Sequence, residues 1–140
     1  MAHRRWLPLA ALLVFTTSAA NGQGPAPTPA QASAFMGTWI IDMTQPAAFK
    51  GTHTLRIWDS SGVVAASVGT APANNVTGIL KDGDMLVLTI DRNGPRPVLE
   101  NGAPIWAVYA LTLDGDTMKV ALMLEKSQTI KRGTGKRNKE

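Results

Sequence analysis

Phe35-Met36-Gly37-Thr38-Trp39-Ile40-Ile41-Asp42 is the stretch on which the reading of this chain turns. It follows a Pro-rich lead-in, and it alternates. Trp39, Ile41 and Met43 fall on one side, and Ile40 and Asp42 on the other. That period of two is the mark of a half-buried strand. From Phe35 onward, similar runs recur about every ten residues, at 36–43, 52–59, 62–69, 74–80, 84–91, 104–113, 116–125 and 127–133. Short strands at even spacing, separated by turn residues, predict an all-β sandwich or barrel.

The breaks between runs carry turn chemistry. Asp59-Ser60-Ser61-Gly62 is one turn, and Lys81-Asp82-Gly83-Asp84 and Leu113-Asp114-Gly115-Asp116 are two Asp-Gly hairpin signals. Asn93-Gly94-Pro95 and Asn101-Gly102 bracket a less regular stretch, 92–103. Alternation assigns faces. His53, Leu55 and Ile57 oppose Thr54, Arg56 and Trp58. Ile105, Ala107, Tyr109 and Leu111 oppose Trp106, Val108 and Ala110. Met118, Val120, Leu122 and Leu124 oppose Lys119, Ala121 and Met123; Gln128, Ile130 and Arg132 oppose Thr129, Lys131 and Gly133. An antiparallel up-and-down β-barrel of about eight strands accommodates this pattern, because closure removes the exposed edges that seed aggregation.

Composition narrows the chemistry. The chain has 140 residues, 44% hydrophobic and 17% charged, with 13 Gly, 9 Pro and no Cys. That is one domain's worth of sequence with enough apolar material for a core. Disulfides, thiolate metal sites and a cysteine nucleophile are excluded. With only His3 and His53, a multi-histidine metal site is not expected, and no metal or cofactor is implied. The net charge of +4 belongs to the ends. Residues 126–140 hold six basic groups and one acid, whereas residues 24–125 hold six basic and nine acidic. The basic tail lacks aromatics to stack on bases, so it reads as a solvated terminus and not as a nucleic-acid site.

Residues 1–23 have the plan of a secretory leader: His3-Arg4-Arg5, an apolar run over Trp6–Phe15, then small residues through Ala20. The apolar run is far shorter than the roughly 20 residues a membrane-spanning helix needs, so no transmembrane segment is expected after cleavage. The implied location is exported, either periplasmic or secreted. Residues 24–34, rich in Pro and Ala, read as a flexible linker. The barrel domain is then 35–135, and 136–140 is a basic C-terminal tail.

Gly37-x-Trp39 on the first strand of such a chain resembles the calycin superfamily, which includes lipocalins, fatty-acid-binding proteins and avidins. The resemblance is to a bacterial lipocalin-like domain. It implies that Trp39 closes one end of a barrel and that a late-strand arginine packs across the indole. Arg132, on the last run, is the match for that arginine, and Gly37, Trp39 and Arg132 form the closure set. It also implies a small hydrophobic ligand in the lumen.

His53, Leu55, Ile57, Tyr109, Met118, Val120, Leu122 and Gln128 are the side chains expected to line that lumen. A solid core made of the same residues stays open, since an eight-stranded barrel can be filled by side chains or can hold one small ligand. Two alternatives stand beside ligand binding. One is an isomerase- or cyclase-type enzyme with His53 or Glu100 as base and Asp42 nearby. The other is a solid structural or interaction module that presents Trp58 and Trp106, to a second copy of itself among other partners. Asn75-Val76-Thr77 fits a glycosylation acceptor.

Overall fold

The computed structural model describes residues 26–47, 50–69, 73–127 and 129–138. The leader expected over 1–23, the lining residue Gln128 and the last two residues of the tail lie outside them. The strands are β1 (Gly37–Gln45), β2 (Gly51–Ser60), β3 (Val63–Val68), β4 (Asn74–Asn75), β5 (Gly78–Asp82), β6 (Met85–Ile90), β7 (Val98–Glu100), β8 (Ala103–Ile105), β9 (Ala107–Asp114), β10 (Thr117–Leu124) and β11 (Lys131–Arg137). Nine of them form one antiparallel sheet in the order β4-β3-β2-β1-β11-β10-β9-β6-β5, and β7 and β8 pair as a separate hairpin.

Tight turns set the register. Ser61-Gly62 and Asn101-Gly102 have φ of 55° and 91°, and 53° and 82°, the two positive values of a type I′ turn. The Asp-Gly signals close differently from the expectation. Asp82 pairs with Met85, and Asp114 with Thr117, so Gly83-Asp84 and Gly115-Asp116 are the central residues. Glycine comes first in each, at φ 60° and 63°, as a type II′ turn requires.

One face of the sheet makes the core. Trp39, Ile41 and Met43 of β1, Leu55 and Ile57 of β2, and Val64, Ala66 and Val68 of β3 are buried there. So are Leu86, Leu88 and Ile90 of β6, Tyr109 and Leu111 of β9, and Met118, Val120 and Leu122 of β10. All belong to a single cluster. A lone sheet can bury one face to this degree only by curling on itself, and this one curls into an open half-barrel. Each large side chain so buried contributes about 1.5–3 kcal/mol.

The last strand is pinched. β11 lies between β1 and β10 and turns Lys131, Gly133 and Gly135 inward. A Cβ on Gly133 would stand 2.6 Å from the Asp42 carbonyl oxygen, and one on Gly135 would stand 3.3 Å from both Ile41 and Met118. The expected strand 127–133 is therefore displaced toward the C-terminus, and its faces are exchanged. Ile130 and Arg132 are exposed, where the alternation had placed them with the lumen side.

The closed barrel of about eight strands, and with it the calycin assignment, is overturned by the sheet order. β4 and β5 are edges, and among the described residues no ladder joins them. The run 74–80, read as one strand, breaks at Val76-Thr77. The Val76 N–H donates to Ala66 O of β3 at 3.2 Å, and the Thr77 N–H donates to Thr89 O of β6 at 2.8 Å. Thr77 Oγ1 also donates to Thr89 O and accepts from the Asp91 N–H. These bonds guide the chain as it passes from β4 at one edge to β5 at the other.

At the end where β1 begins, a 3₁₀ turn over Ser33–Phe35 caps the core, with Ala32 and Phe35 buried. Thus part of the stretch read as a linker packs on the sheet. Trp39 Nε1 donates to Phe35 O at 2.8 Å. The guanidinium over the indole is that of Arg137, 4.3 Å from the ring centroid, and not that of Arg132. Arg137 also donates to Met36 O and Ala34 O, each at 2.6 Å. The local arrangement of indole and arginine is present; the closure that would make it a calycin barrel is not. No helix among the described residues is long and apolar enough to cross a membrane.

Candidate functional site

Among the described residues the half-barrel encloses no closed lumen. Leu55, Ile57, Met118 and Val120, expected to line one, are at most 3% exposed and pack on each other in the core. The lipocalin-like reading, a hydrophobic molecule enclosed by the barrel, falls with that observation and with the open sheet.

A pocket lies at the other end of the half-barrel from Trp39. Here the β7–β8 hairpin leans over the end of the half-barrel and leaves a pocket of about 480 Å³, open on one side. Its floor is His53, Tyr109 and Leu122, three of the residues expected in the lumen. Its walls are Val98, Leu99, Glu100 and Ile105 from the hairpin, with Val68 and Asn74 from the sheet edge. The hairpin was missed because its strands are only three residues each, too short to show alternation. Asn101-Gly102 was its one legible sign.

His53 and Tyr109 meet at 3.0 Å between Nδ1 and the phenol oxygen, with the rings edge-on at 69°. They sit on β2 and β9, two strands that are not neighbours in the sheet, so only the curl brings them together. Burial lowers the imidazole's pKa from its usual 6.5 and pushes the phenol's well up. The phenol therefore keeps its proton, and we assign it as donor to a neutral imidazole. Asp42 lies on the outer face of β1, away from this pair, whereas Glu100 shares the pocket with it. Among the described residues, no group of three His, Cys, Asp or Glu is placed to hold a metal ion.

The His53 environment makes stability depend on pH. Its folded pKa lies below the unfolded value, so the unfolded chain binds more protons as pH falls under 6.5. Stability is expected to be full above that pH and to decline below it. Levelling follows once the lowered folded value has been passed. His53→Gln should flatten the decline in melting temperature between pH 7 and 5; an unchanged slope would exclude His53 as its source.

The second feature is the outer face. Over β11, β1 and β2 it is polar: Thr134 and Lys136, Thr38 and Asp42, Thr54 and Arg56. Over β5, β6, β9 and β10 its middle is richer in apolar side chains, bordered by Thr89 on one side and by Asp82, Thr112 and Lys119 on the other. Leu80, Val87, Ala110 and Ala121 form one row across four strands, and Val108 and Met123 continue the next. Leu80 and Met123 are 37% and 41% exposed. Trp106 extends the same face, its main chain bonded to Glu125, whose side chain pairs with Arg92. Trp58 is elsewhere, on β2 beneath the Arg56 guanidinium at 5.3 Å. The two indoles expected to form one surface thus belong to separate parts of the exterior.

The chain matches no family model, no curated protein and no solved structure.

Proposed function

We propose that this protein is an interaction module that docks through the apolar row on the outer face of β5, β6, β9 and β10. A packed core combined with a row of apolar side chains gathered on the outer face, Leu80, Val87, Ala110 and Ala121 with Val108 and Met123 beside them, is the observation that carries the reading. A sheet with one wet face ordinarily alternates apolar-in and polar-out. Here the row across β5, β6, β9 and β10 breaks that rule, with Val108 and Met123 adjoining it.

The area bounds the strength. Four strands about 4.8 Å apart, each spanning some five residues at about 3.4 Å, bound the whole face, polar positions included, at roughly 300 Å². The largest apolar patch of a typical monomer is about 300–600 Å² and often functional. This face falls short of the ~800 Å² each partner buries in a standard stable interface. Association through this face is therefore reversible and concentration-dependent.

A second copy is the partner that fits. The turn end of the face carries Asp82, Asp84, Asp114 and Asp116 against Lys81 and Lys119. The opposite end carries Arg92, Arg96 and Lys126 against Asp91 and Glu125. Two copies facing each other with strands antiparallel lay the acidic end of one on the basic end of the other. Sedimentation velocity tests this. Self-association in the tens-of-micromolar range, abolished in Val108→Glu/Met123→Asp and unaffected in Trp58→Ala, is the expected result. A monomer at every concentration, or a double variant that still associates, would overturn it.

A further inference from the structure

We infer that the pocket beneath the β7–β8 hairpin is a binding site for a small amphiphilic amine, with Glu100 as its counter-ion. The site is distinct from the filled interior and from the outer face, and the inference does not rest on the docking reading.

Three observations carry it. The pocket's volume, about 480 Å³, falls within the range of ligand sites. Its lining is mixed, with Val68, Leu99, Ile105 and Leu124 as apolar wall and His53, Tyr109 and Asn74 as polar points. Its charge has one sign. Glu100 is the sole charged group among the described lining residues once His53 is neutral. No described lysine or arginine lines it to receive a carboxylate or phosphate, so an anionic amphiphile would have to desolvate its charge against Glu100 without compensation. A cationic head beside Glu100, with its apolar body along the Val98 and Ile105 side of the hairpin, meets each group with its complement.

The wall that carries Glu100 can also admit the ligand. The hairpin pairs with no described strand of the main sheet, and Leu99 in the middle of β7 is 62% exposed. Asn74 Nδ2 donates to Pro97 O at 3.0 Å and to Arg96 O at 3.4 Å, tying the hairpin's base to the β4 edge. The tie fixes the base, and Glu100, half-buried, lies three residues on from Pro97.

The test uses the intact chain and three probes of one shape: 4-phenylbutylamine, 4-phenylbutanol and 4-phenylbutyrate. Calorimetry gives the affinities, and the His53 and Tyr109 ring resonances report the place of binding. The amine is expected to bind about tenfold tighter than the alcohol, with the acid weakest, and to shift both rings. Glu100→Gln should remove the amine's advantage and leave alcohol binding and the melting temperature unchanged. Equal binding of acid and amine, an amine affinity untouched by Glu100→Gln, or no binding of any probe at millimolar concentration would each overturn the inference.

Discussion

Gly133→Ala is expected to cost this protein more than about 3 kcal/mol, enough to lower its melting temperature by ten degrees or more. The new methyl would meet the Asp42 carbonyl oxygen at 2.6 Å, the Met43 Cα at 2.9 Å and the Met43 Sδ at 2.8 Å. The sulfur can swing aside. The backbone atoms cannot, because Asp42 and Met43 are held in the β1–β11 ladder opposite Thr134 and Gly133. Relief requires β1 and β11 to separate at the middle of the sheet. Gly135→Ala, facing Ile41 and Met118 at 3.3 Å, should cost about 1–2 kcal/mol, since both side chains can give. Gly51→Ala is the control: nothing lies within 4 Å of its added carbon, and it should stay within about 0.5 kcal/mol. Urea unfolding of the three variants checks the ranking. A Gly133→Ala protein as stable as Gly51→Ala would mean that β11 does not lie in this register.

Trp39→Ala should be comparably severe, at about 3–5 kcal/mol. The indole is 1% exposed and does three things at once. It fills the capped end of the core, it holds the 3₁₀ turn through its bond to Phe35 O, and it supplies the face on which the Arg137 guanidinium rests. Removing it leaves a cavity and releases Phe35 and Ala32 from the core cluster. The arginine makes a finer test. Arg137→Gln loses the contact with the ring and two bonds to main-chain carbonyls, an expected loss of about 1–2 kcal/mol. Arg132→Gln, whose side chain is exposed, should change stability by no more than about 0.5 kcal/mol. The reverse order would restore the register expected from sequence.

The strands were legible because alternation is a local property. Leu55-Arg56-Ile57-Trp58 and Met118-Lys119-Val120-Ala121 each declare which side is apolar, and the structure buries Leu55, Ile57, Met118 and Val120 accordingly. The last strand was misplaced because its inner face carries glycines. Lys131, Gly133 and Gly135 present no apolar signal, and only Met43, Ile41 and Met118 crowding against them show why side chains are absent. The pocket was half legible. His53, Tyr109 and Leu122 fell on the right face, but the hairpin that encloses them did not register as strands.

Taken alone, the order of residues determined an antiparallel β domain and the faces of most of its strands, Trp39 on the same side as Ile41 and Met43 among them, since period-two patterning and turn chemistry act over a few neighbours. Three matters were decided only in the folded chain: which arginine covers that indole, whether the ends of the sheet meet, and where on the exterior apolar side chains gather. Each depends on register between strands far apart in sequence, where a single residue of slip exchanges the two faces. Thr77 shows the scale of the deciding interactions, for its bonds to the Thr89 carbonyl oxygen and the Asp91 N–H lie where the chain passes from β4 at one edge to β5 at the other.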